Sequence, residues 1–250
     1  MKRPSYALCI INYNNVLTIH KFFDSVLNRI DKKDFKIIVV DSYSSDGSFE
    51  LLEEMYKSGK IDILARIRCS RGLGRQIAYL LSKAEYIIAN IDTDVIYNDK
   101  IVDVLADYQK RRANFLYAVY GAMVLPRCLV ERLGGWRDLD RHEDSDLCAR
   151  AFAAGCYMHD MRINVVDKHL RKKQHILKKF IENYRDFRDW FRIGMKIHEL
   201  PGGVHIIIKP SVILAFLTYR LYKRYSNPKF DKWLRIWRNR EVFSLIINCS

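Results

Sequence analysis

The residues best placed to do chemistry begin with Asp92-Thr93-Asp94, at the end of the stretch AEYIIANIDTDVI over residues 84–96. Tyr86–Ile91 reads as a buried strand, because apolar runs of this length with β-branched residues, closed by polar ones, are what interior parallel strands look like. Side chains i and i+2 of a strand point the same way, so Asp92 and Asp94 can converge on one point. Two carboxylates at the C-terminal end of such a strand suit Mg²⁺ or Mn²⁺ carrying a diphosphate. Taken alone, the same two acids could simply open a loop. A second chemical feature is Arg71-Gly72-Leu73-Gly74-Arg75, a glycine-rich basic loop leading into a helix. Backbone N–H groups and cationic side chains converge in such a loop, which suits a diphosphate. A third is the acidic cluster Glu143-Asp144-x-Asp146 ahead of a helix that runs to Ala154. Acids in a first helical turn are favoured by the dipole by about 0.3–1 kcal/mol each, so a purely structural role stands beside a chemical one.

The elements that must position these groups follow from periodicity. Tyr6–Asn12 is a first strand, Tyr13-Asn14-Asn15 a turn, and Val16–Arg29 a helix with apolar residues at helical spacing. Phe35–Val40 is a second strand ending in Asp41, and Ser45 or Asp46 caps a helix over Phe49–Ser58. Ile61–Ile67 is a third strand, Cys69–Gly74 a tight loop and Arg75–Lys83 a helix. Strands alternating with helices predict a doubly wound, mostly parallel α/β sheet. Beyond Asp94 come a helix over Asp99–Arg112, a strand-like Phe115–Leu125 interrupted at Gly121, a helix over Pro126–Leu133, the loop Gly134-Gly135-Trp136, and a short strand Met161–Val166 before His169.

Charge divides the chain. Residues 1–167 carry 24 Lys and Arg against 23 Asp and Glu, whereas residues 168–250 carry 19 against 6. A near-neutral body with a cationic tail points to an anionic partner for the tail: lipid headgroups, a lipid-phosphate substrate or nucleic acid. The tail reads as helical over Lys172–His198, is broken at Pro201-Gly202-Gly203, and continues through Val204–Tyr222 and Phe230–Trp237. The longest uncharged run in Val204–Tyr222 is about ten residues, too short for a bilayer span, which needs about twenty. An apolar stretch flanked by Arg, Lys, Tyr and Trp suits a helix in a membrane interface; packing on the body or on a second subunit fits equally well. Six scattered cysteines without C-x-x-C spacing argue for a reducing compartment and against structural zinc. The expected location is cytoplasmic, with the tail peripheral on the inner membrane face as the variant its charge suggests.

Five motifs in this order resemble the family 2 inverting glycosyltransferases of the GT-A fold: Asn12-Tyr13-Asn14 after the first strand, Val39-Val40-Asp41 with Ser45-Asp46-Gly47, Arg71–Arg75, Asp92-Thr93-Asp94, and Gly134-Gly135-Trp136 before Glu143-Asp144. The resemblance covers roughly Tyr6–His169. It implies a GT-A catalytic domain over residues 1–169; beyond it lies the basic, aromatic helical region over 170–250, whose charge and composition suit binding to membrane or acceptor or an oligomer contact. It further implies a metal-dependent inverting hexosyltransferase using Mn²⁺ or Mg²⁺ and a UDP- or GDP-sugar, with a glycan or lipid-linked acceptor. By that resemblance Asn12 and Tyr13 line the base pocket and Asp41 binds base or ribose. Arg71, Gly74 and Arg75 face the diphosphate, although the Ala-Arg-Asn frequent in the family is here Arg75-Gln76. Asp94 is the direct metal ligand, Asp92 touches ribose or metal-bound water, and His169 supplies another metal or diphosphate contact. Asp144 is the general base, Glu143 orients the acceptor or the base, and Trp136 offers a flat face to a sugar ring. Two other readings compete. A sugar-phosphate nucleotidyltransferase would share the strand-end metal but needs a glycine-rich loop where Tyr13-Asn14-Asn15-Val16 stands. A non-catalytic nucleic-acid binder would explain the tail but not the acids, and no nucleic-acid partner is expected.

Overall fold

The computed structural model describes residues 5–111, 114–170, 176–197, 209–225, 227, 229–238 and 242–246. The chain opens with the strand β1 (Tyr6–Asn12), followed by α1 (Val16–Leu27), β2 (Phe35–Asp41), α2 (Ser48–Lys57), β3 (Ile63–Arg66), α3 (Arg71–Leu81) and β4 (Tyr86–Asp92). β1, β2, β3 and β4 pair in parallel, in the order β4-β1-β2-β3. Their side chains are apolar on both faces because both faces are covered: Leu8, Ile10, Ile37, Val39, Ile88 and Ile91 are buried. Each such side chain stabilises by about 1.5–3 kcal/mol. The register Asn12↔Asp41 and Ile11↔Asp92 brings the ends of β1, β2 and β4 level. Everything chemical is gathered at that edge.

β5 (Val95–Tyr97) and α4 (Lys100–Lys110) follow, then a hairpin of β6 (Leu116–Tyr120) and β7 (Ala122–Pro126) that reverses at Gly121, where φ is +100°. The single strand-like run Phe115–Leu125 is therefore two antiparallel strands, and β7 pairs with β4. α5 (Arg127–Leu133) and α6 (Glu143–Ala153) lead to β8 (Cys156–Asn164), parallel to β6, and β9 (Val166–His169). β9 turns back onto β5 as a separate two-stranded sheet.

The tail supplies α7 (Ile176–Arg192), α8 (Pro210–Thr218) and α9 (Phe230–Arg238), as its composition implies. It also supplies β10 (Val242–Ile246), absent from the sequence reading. β10 pairs with β8 and completes an eight-stranded mixed sheet. Tail helix α9 packs on α6 with Phe230, Trp233 and Leu234 buried, so Phe230 and Trp233 face the body, while Trp237 stays exposed. The proposed break at Pro201-Gly202-Gly203 lies outside the described residues. Among the described residues no helix is long and apolar enough to cross a membrane.

Candidate active site

Within the site, α3 departs from expectation at its start. The loop predicted over Cys69–Gly74 is helical from Arg71 onward, with Ser70 as N-cap, its hydroxyl accepting from the Leu73 N–H at 3.1 Å. Two glycines in a helix cost about 0.5–1 kcal/mol each, and the packing explains why they stay. A Cβ on Gly72 would stand 2.0 Å from the Arg137 carbonyl oxygen, and one on Gly74 would stand 2.2 Å from Ile11 Cδ1. Gly74 thus lets α3 lie against β1, correcting its assignment to the diphosphate.

That close approach delivers Arg75 into the interior. Its guanidinium is fully buried, with Nε donating to Glu143 Oε1 at 3.0 Å and Nη2 to Asp92 Oδ1 at 3.2 Å. Burial opposes its charge, but Glu143 and Asp92 outweigh that and raise its pKa. Glu143 is equally buried; burial pushes its carboxyl up, neighbouring Asp144 adds to this, and Arg75 and Arg71 oppose it. Arg75 and Glu143 therefore stand behind the cleft wall as a buried pair joining α3, β4 and α6, rather than on the diphosphate or the acceptor. Arg75 Nη1 and Glu143 Oε2 have no hydrogen-bond partner among the described residues.

The cleft itself, about 260 Å³, opens at the C-terminal edge of β4. Its walls bring together Arg71, Asp92, Asp144 and His169, from four segments far apart in sequence, with Tyr120 and Trp237 beside them. Asp92 is half-buried, and its own N–H is held by the Tyr97 hydroxyl at 3.1 Å. Asp144 lies in the first turn of α6, one oxygen accepting from the Ser145 N–H at 2.7 Å. Asp94 does not line the cleft wall. It sits half-buried at its margin, where its carbonyl accepts from the Leu170 N–H at 2.7 Å and the register Val95↔His169 sets the next strand pair. The exposed His169 is thereby held close to the Asp-Thr-Asp turn.

Three assignments take a different place. Asn12 is buried and ties strand ends together: its Nδ2 donates to Asp41 Oδ1 at 2.9 Å and its Oδ1 accepts from Thr93 Oγ1 at 2.9 Å. Asp41 is fully buried and also accepts from the Ser44 N–H at 2.9 Å. Neither side chain is presented to a ligand, because anchoring the three ends uses them. Trp136 is a core tryptophan, 4% exposed and tilted against Tyr79 at 6.2 Å, not a sugar platform. Tyr13, by contrast, is 59% exposed. Its neighbour Asn14 donates its N–H to Ser44 Oγ at 2.9 Å, which joins its loop to that of Tyr43. Tyr43 is itself half exposed at φ +55°, with the Arg66 and Arg68 guanidinium groups over its ring at 5.1 and 5.7 Å. This cationic, aromatic corner went unread in the sequence, as did Trp233 and Trp237 on the cleft wall. The i,i+4 spacing of those two tryptophans on α9 was the available signal.

The sheet order and the strand-end cleft are those of the GT-A glycosyltransferase fold. Residues 7–123, just under half of the chain, match the family model described as Glycosyl transferase family 2. TarS of S. aureus superposes with a TM-score of 0.59 at 12% identity, over 86% of this chain and 48% of TarS. The chain thus spans about half the length of TarS. The mannosyltransferase PcManGT from Pyrobaculum calidifontis, solved with GDP-Man and Mn²⁺, gives 0.59 at 15% identity over 94% of this chain and 74% of that one. Glucosyl-3-phosphoglycerate synthase from Mycobacterium tuberculosis, solved with Mn²⁺, UDP and glucosyl-3-phosphoglycerate, gives 0.60 at 15% over 77% and 81%. At these identities the likeness is one of fold. No curated protein matches the sequence.

Proposed function

We infer that this chain transfers a hexosyl group from a nucleoside-diphospho-sugar to an acceptor hydroxyl with inversion at the anomeric carbon. The observation that carries the reading is the meeting of Asp92 and Asp144 on the walls of one cleft. Arg71 on the same wall offers a guanidinium to the diphosphate. Tyr13 and Tyr43 offer exposed faces for a nucleobase to stack on. Asp144, partly exposed to the cleft, takes the acceptor's proton as the hydroxyl attacks the sugar from the face opposite the diphosphate, and that single displacement inverts the configuration. The buried Glu143–Arg75 pair fixes the helix start from which Asp144 projects.

A divalent cation fits the residues present. Among the described residues no three His, Cys, Asp or Glu side chains cluster to hold a metal alone. Mg²⁺ and Mn²⁺ bound through one or two carboxylates plus substrate phosphates need no such cage. Asp92 and Asp94 would hold it, with His169 at the margin, and when bound it neutralises charge growing on the departing diphosphate. Support for such a donor and cation also comes from the fold's other members: PcManGT was solved with GDP-Man and Mn²⁺, and a TarS fragment with UDP-GlcNAc.

The test pairs binding with turnover. Thermal shifts with UDP-, GDP-, CDP- and dTDP-sugars should single out one donor whose stabilisation grows with Mn²⁺. Asp144→Asn should keep that shift while abolishing transfer; near wild-type turnover in this variant rules out the base assignment.

A further inference from the structure

α8 is packed inside out. Its buried residues are the small ones, Ser211, Val212 and Ala215, while Ile213, Leu214 and Leu217 face solvent, Leu217 at 68%. Positions 213, 214 and 217 lie on one face of a helix by their spacing. The short 3₁₀ turn that follows, Tyr219–Leu221, ends on Leu221 at 83% exposure, with Tyr222 exposed after it. The helix is firmly seated all the same. Tyr184 of α7 shares a hydroxyl hydrogen bond with Thr218 at 3.0 Å, and Phe191 meets Phe216 edge-on at 5.4 Å. Large apolar side chains held outward on a fixed helix make an extended apolar patch, and such patches mark interaction surfaces.

What surrounds the patch names the occupant. Lys209 stands at its N-terminal end, and exposed Arg220, Lys223 and Arg224 stand at its C-terminal end. Residues 209–238 contain eight Lys and Arg against one acid, Asp231. A protein partner could meet the apolar face, and nucleic acid could meet the cations. An anionic bilayer meets both at once, taking the leucines below the headgroups and the cations among the lipid phosphates. α8 spans only nine residues, far short of a crossing, so it lies in the interface plane. We propose that the outward face of α8, formed by Ile213, Leu214 and Leu217 and continued by Leu221 of the following turn, docks the protein on an anionic lipid surface. This proposal does not depend on the glycosyl-transfer reading. If both hold, docking would keep the cleft, whose wall includes Trp237 of the same tail, near membrane-borne acceptors.

The test uses the full chain with vesicles of equimolar phosphatidylglycerol and phosphatidylcholine, and with phosphatidylcholine alone. Wild type should co-sediment with the anionic vesicles and much less with the zwitterionic ones. Leu214→Glu/Leu217→Glu, a change confined to exposed positions, should lower the vesicle-bound to free ratio at least tenfold. Leu217→Cys carrying an environment-sensitive dye should shift to the blue on adding anionic vesicles. The same dye at Leu80→Cys, an exposed leucine on α3, should not move. Absence of vesicle binding overturns the proposal, as does binding that leaves the dye at position 217 unmoved. A dimer in sedimentation velocity that Leu217→Glu converts to monomer would assign the face to a second copy. Retention by RNA that persists in Leu214→Glu/Leu217→Glu, without lipid binding, would assign the cations to nucleic acid.

Discussion

Arg75→Met is the substitution that separates the buried charge network from the chemistry in front of it. Met retains much of the apolar stem but removes the guanidinium from Glu143 Oε1 at 3.0 Å and Asp92 Oδ1 at 3.2 Å. Asp92 can rehydrate because its side chain is 26% exposed, whereas Glu143 is 1% exposed and retains only Arg71, whose Nε is 4.0 Å away. Breaking a buried pair by deleting one partner costs about 3–5 kcal/mol. In a chain of this length each kcal/mol moves the melting temperature by about 2–4 °C, so Tm should fall by about 6–20 °C. Removing the stranded carboxylate as well, in Arg75→Met/Glu143→Leu, should restore at least half of the loss, since apolar replacement of both partners is often nearly neutral. The pH dependence carries its own sign. Burial already raises the Glu143 pKa, and without Arg75 it rises further. A carboxyl whose folded pKa lies above its unfolded one binds protons more tightly when folded. The single variant is therefore least impaired below the unfolded carboxyl pKa, about 4.3, and loses stability as pH rises through the raised folded value. Calorimetric or fluorescence melts of wild type and both variants at acidic and neutral pH make the comparison. A single variant that melts within about 2 °C of wild type at neutral pH, or a double variant no better than the single, refutes the reasoning.

Three further outcomes follow from the geometry. Gly74→Ala drives a methyl toward Ile11 Cδ1 and should cost about 1–3 kcal/mol in urea denaturation, with the donor preference unchanged. Asp189 on α7 is fully buried and accepts from the backbone N–H groups of Asp140 and Arg141 at 2.7 and 3.0 Å, and from Arg188 and Arg192 at 2.9 Å. Asp189→Ala should cost about 3–5 kcal/mol. It should also lower kcat more than it raises the donor KM, because the loop it anchors leads directly into Glu143 and Asp144. Tyr13→Ala/Tyr43→Ala should raise the donor's Kd by about 5- to 150-fold, as each aromatic contact is worth about 0.5–1.5 kcal/mol, while Tm stays within about 2 °C. Unchanged donor titration calorimetry in this variant would remove the base-stacking role.

The parallel half of the fold was legible because its signals are local. β1, β2 and β4 are apolar runs closed by Asn12, Asp41 and Asp92, and strand period and burial together dictate such runs. Asp92 and Asp144 could be singled out for a related reason: acids at the start of a helix or the end of a core strand are conspicuous against an apolar background. Residue type alone makes Trp136, Arg75 and Asp41 candidate ligand contacts, because it records what a side chain can do and not which way it faces. The start of α3 is not legible in the sequence because the glycine penalty is local, whereas the packing that offsets it comes from Ile11 and Arg137.

What the sequence determined by itself was the order of strands and helices through β4, the presence of carboxylates at their ends and the cationic bias of the last third. What only the tertiary structure decided was which of those groups share a cleft. Arg75 and Arg71 are one helical turn apart, yet one is sealed against Glu143 while the other borders the cleft. β10 joins the sheet by pairing with β8, from which it is separated by β9, α7, α8 and α9. Leu217 faces outward because Ser211, Val212 and Ala215 take the buried side of α8. Each of these outcomes depends on contacts between distant segments, and periodicity along a single chain carries no record of them.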